Sequence, residues 1–142
     1  MDRHLGDGLP QGPRSRLTPP GTPEGGLHFP DGPPPLALYI HIPWCVRKCP
    51  YCDFNSHPLR GALPETAYVH ALLLDLEREV ADLATPRPIT SIFIGGGTPS
   101  LLSGEAVKRL LEGIQARVDL LPEAEISIEA NPGTADARSF AA

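Results

Sequence analysis

Cys45-Val46-Arg47-Lys48-Cys49-Pro50-Tyr51-Cys52 holds all three cysteines of the chain, in the spacing C-x3-C-x2-C. Thiolates are soft ligands that select iron–sulfur clusters, zinc or copper(I). Three of them on one short loop can hold three corners of a cubane [4Fe–4S] cluster, whose usual complement is four cysteines. With no fourth cysteine in the sequence, one iron would stay open to a non-protein ligand. Zinc is the alternative, with His41 or His57 as fourth ligand. Structural zinc sites commonly join a C-x2-C pair to a second, distant pair, and this sequence has no second pair. A redox pair at Cys49 and Cys52 also fits the spacing, but leaves Cys45 without a role.

Immediately before the loop, Leu36-Ala37-Leu38-Tyr39-Ile40-His41 follows a proline-rich stop and is rich in strand formers. It is predicted to be a first strand, buried on both faces. Pro43 and Pro50 are expected to exclude regular structure across the loop. Beyond it, Pro64-Glu65-Thr66 opens a helix, with proline near its first position and an acid in its first turn. Val69, Leu72, Leu73, Leu76, Val80 and Leu83 recur at helical spacing as its apolar face. Ile89 to Ile94 reads as a second strand, ending in Gly95-Gly96-Gly97-Thr98-Pro99.

Ser103 suits the N-cap of a second helix, with Glu105 near its positive end. Val107, Leu110, Leu111, Ile114 and Val118 form its buried stripe. Pro122 closes the linker, Ala124 to Ala130 is predicted as the third strand, and Thr134 to Ala142 as the start of a third helix. This β-α-β-α-β order implies an α/β fold with a parallel sheet and right-handed crossovers. In such folds ligands gather at the C-terminal ends of the strands. The cysteine loop, the glycine run and Glu129 all fall there.

The remaining 35 N-terminal residues carry Thr18-Pro19-Pro20-Gly21-Thr22-Pro23 and Gly32-Pro33-Pro34-Pro35. Such proline and glycine density resists a packed core, so residues 1–35 are expected to be a disordered tail before a domain at 36–142. No apolar run is long enough for a signal peptide or a membrane span. The net charge of −5 argues against a nucleic-acid binder, which would carry a basic face. An odd cysteine count without a secretion signal points to a reducing compartment, read as the cytoplasm.

Four stretches together resemble a known family. They are Leu38-Tyr39-Ile40-His41-Ile42-Pro43-Trp44-Cys45 with its loop, Cys52-Asp53-Phe54-Asn55-Ser56, Ile94-Gly95-Gly96-Gly97-Thr98-Pro99-Ser100 and Ile128-Glu129-Ala130-Asn131-Pro132-Gly133-Thr134. They resemble the radical S-adenosylmethionine (radical SAM) domain, in the branch of oxygen-independent coproporphyrinogen III oxidases and HemW-type heme chaperones. The likeness covers residues 36–142 and implies the N-terminal portion of a partial (β/α) barrel, of which about half of some six units is present. It therefore implies a truncated piece, whose third strand would expose an edge.

The resemblance further implies that Cys45, Cys49 and Cys52 hold a [4Fe–4S] cluster whose open iron binds SAM. One electron from the cluster would then break the sulfonium bond to give a 5′-deoxyadenosyl radical. It implies that Gly96, Gly97 and Thr98 admit the methionine end of SAM, that Tyr39 and Tyr51 line its pocket, and that Glu129 receives its ribose hydroxyls. Without the resemblance, the glycine run reads equally as a tight turn, Tyr39 as core and Glu129 as a solvated strand end. His41 is expected to be hydrogen-bonded or packed, without a ligand role. The oxidases of the branch carry another cysteine two positions after the third ligand, where this chain has Phe54. That favours the heme chaperones, with heme as cargo and an acceptor protein and an electron donor as partners. The alternatives are the decarboxylating oxidase and an inactive piece.

Overall fold

The first strand, β1 (Leu36–Ile42), alternates strictly. Leu36, Leu38, Ile40 and Ile42 turn to the core, while Ala37 and Tyr39 face outward. The structure is a computed structural model that describes Pro30, residues 32–83 and residues 86–132. The tail expected at 1–35 lies almost wholly outside the described residues, as does the helix expected at 134–142.

After β1 come two short strands, β2 (Trp44–Cys45) and β3 (His57–Pro58), and then the helix α1 (Glu65–Ala81). Next are β4 (Ile89–Gly96), a 3-10 turn at Pro99–Leu101, the helix α2 (Gly104–Gln115) and β5 (Leu120–Ile128). The sheet has the order β1-β4-β5, parallel throughout. Its register sets Tyr39 beside Phe93 and Phe93 beside Ser127, with His41 beside Gly95.

Both helices contribute to one core. Ile40, Ile42, Ile92 and Ile94 of the sheet join Val69 and Leu76 of α1 and Ala106, Leu110 and Ile114 of α2. Burying such side chains is the main favourable term of the fold. The helices are also tied at their starts. Ser103 caps α2 by accepting from the Ala106 amide at 3.2 Å. The Glu65 carboxylate, in the first turn of α1, accepts from the Ser103 amide at 2.6 Å and from its hydroxyl at 2.8 Å.

Three expectations are corrected. β1 is not buried on both faces: Tyr39 is 57% exposed, because among the described residues the helices pack on one side of the sheet. The cysteine loop is irregular as expected, with no helix or strand from 46 to 56, and the short β2–β3 pair flanks it. Leu83 lies past the end of α1 and is exposed. β5 begins at Leu120, not Ala124, and Pro122 lies inside it. The register jumps from Ile89↔Leu120 to Ser91↔Glu125, so Pro122 sits in the irregular stretch of an edge strand, where a missing N–H costs least.

Candidate functional site

The cysteine loop is closed at its base by backbone hydrogen bonds. The His57 amide donates to the Pro43 carbonyl and the Leu59 amide to the Cys45 carbonyl, each at 2.7 Å. A third tie comes from β1. His41 Nε2 lies 2.7 Å from the Asn55 carbonyl, and Tyr39 Oη lies 2.9 Å from His41 Nδ1. A carbonyl only accepts, so in the neutral ring Nε2 carries the proton and Nδ1 accepts from the tyrosine. This is the hydrogen-bonded histidine the sequence leads one to expect. Lys48 Nζ crosses the loop and donates to the carbonyls of Phe54 at 3.2 Å and Ser56 at 3.0 Å.

The three thiols differ in exposure: Cys45 is buried, Cys52 half-buried and Cys49 exposed. Ser56, itself buried, brings its hydroxyl to 3.8 Å from Cys52 Sγ. Tyr51 stands out in solvent, 86% exposed. Its phenol is pushed up by a hydrogen bond with Cys49, then by the charge of that thiolate. Tyr68 of α1 donates to the His41 carbonyl at 2.7 Å, and burial, with the nearby Asp75 charge, pushes its phenol up.

The glycine run lies against this loop. Gly96 has φ +121°, and a Cβ there would stand 2.7 Å from the Ile42 carbonyl oxygen and 2.9 Å from the His41 ring. A Cβ on Gly97 would stand 2.6 Å from the Trp44 carbonyl oxygen and 2.9 Å from Cys45 Sγ. The Gly97 amide donates to the Ile42 carbonyl at 2.8 Å. Glycine is thus required here by the chain's own packing. Thr98 is buried just before the 3-10 turn.

Glu129, one residue past β5, grips the end of β4 twice. Its amide donates to the Ile94 carbonyl at 3.0 Å, and its carboxylate accepts from the Gly96 amide at 3.1 Å. The cysteine loop, the glycine run and Glu129 therefore gather at the C-terminal ends of β1, β4 and β5, and Tyr39, in the middle of β1, is linked to the loop through His41. Sequence reasoning missed the ties made by Lys48, Asn55 and Ser56. Their only signal was the placing of polar residues inside and just after the loop.

Among the described residues, no three His, Cys, Asp or Glu side chains are gathered closely enough for a single metal ion. Tetrahedral zinc needs its sulfurs about 2.3 Å from one point, whereas a cubane carries each thiolate on a different iron. The donor set, three thiolates on one tied loop with no second pair in the sequence, fits a cluster. No helix among the described residues is long and apolar enough to cross a membrane.

The sequence profile of the radical SAM superfamily matches residues 39–142. The chain belongs to the radical SAM superfamily. This radical SAM chain is 62% identical over 107 residues to the heme chaperone HemW of Escherichia coli (strain K12), covering 75% of itself and 28% of that protein. It is 53% identical over 110 residues to the heme chaperone HemW of Haemophilus influenzae, covering 75% of itself and 29% of the relative. With the mitochondrial radical S-adenosyl methionine domain-containing protein 1 of Bos taurus it shares 36% identity over 124 residues, covering 87% of itself and 28% of the relative. It thus spans little more than a quarter of the length of these relatives. Among solved structures it is similar to coproporphyrinogen III oxidase (HemN) from Escherichia coli, a radical SAM enzyme. The TM-score is 0.63 at 32% identity, over 72% of this chain and 23% of that one. The expected α/β architecture, part of a radical SAM fold with parallel strands, is the one observed. Superfamily membership implies a [4Fe–4S] cluster and SAM in general.

Proposed function

We propose that this chain carries the cluster- and SAM-binding part of a HemW-type heme chaperone. Cys45, Cys49 and Cys52 would hold three irons, leaving the fourth for SAM. The chemistry a bound cluster supplies is one-electron reduction of a sulfonium, and the protein's part is to position and enclose. Tyr39 and Tyr51 would border the cofactor. The segment from Gly96 to Thr98, held against the loop, would present backbone groups to its methionine end. Glu129, a carboxylate fixed by its bond to the Gly96 amide, would accept from a ribose diol. Heme would be the cargo, passed to an acceptor protein in the cytoplasm, with an electron donor as a further partner.

The observation that carries the chaperone reading is Phe54, 62% exposed, where the oxidases of the branch place a cysteine. The high identity to proteins named heme chaperone supports it. The structural likeness to HemN favours a second reading, oxidative decarboxylation of coproporphyrinogen III. Heme titration of the anaerobically reconstituted protein separates the two. We expect a saturable change in the heme absorption band and no release of CO2 from coproporphyrinogen III; CO2 release without heme binding would replace the chaperone reading with the oxidase. Electron paramagnetic resonance of the reduced protein tests the ligands. A signal that SAM perturbs and that Cys49→Ala lacks is expected.

A further inference from the structure

We infer that Lys48 is a positioning residue: its ammonium latches the cysteine loop shut ahead of cluster binding and then stays as a fixed positive charge beside the cluster. This rests on the cluster reading above. Residues 46–56 contain no helix or strand, so beyond the backbone bonds that close the base, side-chain ties hold the two arms of the loop at a set distance. Lys48 supplies such a tie. It leaves the arm between the first and second cysteines and donates to the Phe54 carbonyl at 3.2 Å and the Ser56 carbonyl at 3.0 Å on the other arm.

The receiving end is a built feature. The Phe54 carbonyl also accepts from the Ser56 amide at 2.7 Å and from the Ser56 hydroxyl at 3.4 Å. That hydroxyl lies 3.8 Å from Cys52 Sγ, and Ser56 is only 2% exposed. The ammonium thus grips the turn that seats the third thiol, from the residue next to the second. Ordering a lysine side chain costs rotamer entropy. Bonds from a charged donor are roughly twice as strong as neutral ones, and two of them to one turn offset that cost. Three cluster-bound thiolates would make the site anionic, so a held cation lowers the cost of adding an electron. Charge and hydrogen bonding around the sulfurs are the protein's levers on cluster potential.

The test compares wild type, Lys48→Met, Lys48→Gln and Lys48→Arg in the full chain, with Cys49→Ala as the control for the cluster. In the metal-free protein, hydrogen exchange at the His57 and Leu59 amides, which close the loop, should quicken about tenfold in Lys48→Met and return near wild type in Lys48→Arg. In the reconstituted protein, iron loss to a chelator should quicken about tenfold or more. The midpoint potential should fall in Lys48→Met and Lys48→Gln and be restored by Lys48→Arg. Exchange and potential unchanged in Lys48→Met would overturn the latch. Should Lys48→Met lose its cooperative melt, Lys48→Gln decides: a potential and exchange rate like wild type there would equally overturn it. Failure of wild type itself to take up iron would count against the cluster reading, while the exchange arm would still decide for or against the latch.

Discussion

The two faces of the sheet are built from the same three strands and have opposite characters. On one, Ile42, Ile92 and Ile94 are sealed beneath α1 and α2. On the other, Tyr39 and Phe93 stack with ring centroids 6.1 Å apart and remain open to solvent. Strand alternation makes the division possible, since neighbouring residues point to opposite faces. One face supplies stability, and the other leaves its aromatic groups in solvent without loosening the core.

Substitutions can break or sharpen that contrast. The largest stability effect is expected from Ile94→Ala on the covered face, a loss of about 2–5 kcal/mol in urea unfolding. Gly97→Ala should come next, at about 1–3 kcal/mol, because the new methyl meets the Trp44 carbonyl and Cys45 Sγ. Iron uptake on reconstitution should fall with it, since the methyl strikes a proposed ligand; unchanged uptake would separate the glycine run from the loop. Ser103→Ala should cost about 1 kcal/mol through loss of the α2 cap, with iron uptake unaffected. Phe93→Ala, one residue from Ile94 but on the open face, should cost least, about 0.5 to 1 kcal/mol for the lost stack. If Phe93→Ala proved as costly as Ile94→Ala, the division between the faces would be wrong.

The pattern of the elements was legible because it is local. Helical spacing marked α1 and α2, Ser103 announced its cap, and three clustered cysteines stood out against a chain with no others. What was not legible depends on partners distant in sequence. The openness of Tyr39 follows from which side of the sheet the helices cover, and β1 alone does not encode that. The β2–β3 pair involves two residues on each side and includes Pro58, too short to leave a periodic signal. The early start of β5 is hidden by Pro122, which reads as a breaker unless the strand is known to be at an edge. At Gly96 and Gly97 the sequence alone read equally as a tight turn, and the neighbours that an added Cβ would meet there, Ile42, His41, Trp44 and Cys45, lie far away in the chain.

The ties of the cysteine loop also carry a kinetic meaning. His41 and Asn55 are separated by 14 residues, and Lys48 and Ser56 by 8. The Glu129 clasp on Gly96 spans 33 residues, and the Asn131 contact with Ser100 spans 31. Closing a short loop costs less entropy than closing a long one, and local contacts form sooner. A nascent chain would thus shape its thiol cradle soon after residue 60 is available, well before the strand bearing Glu129 is made. On the proposed reading, metal capture and cofactor enclosure would be successive events along the chain, ordered by the distances over which each part is encoded.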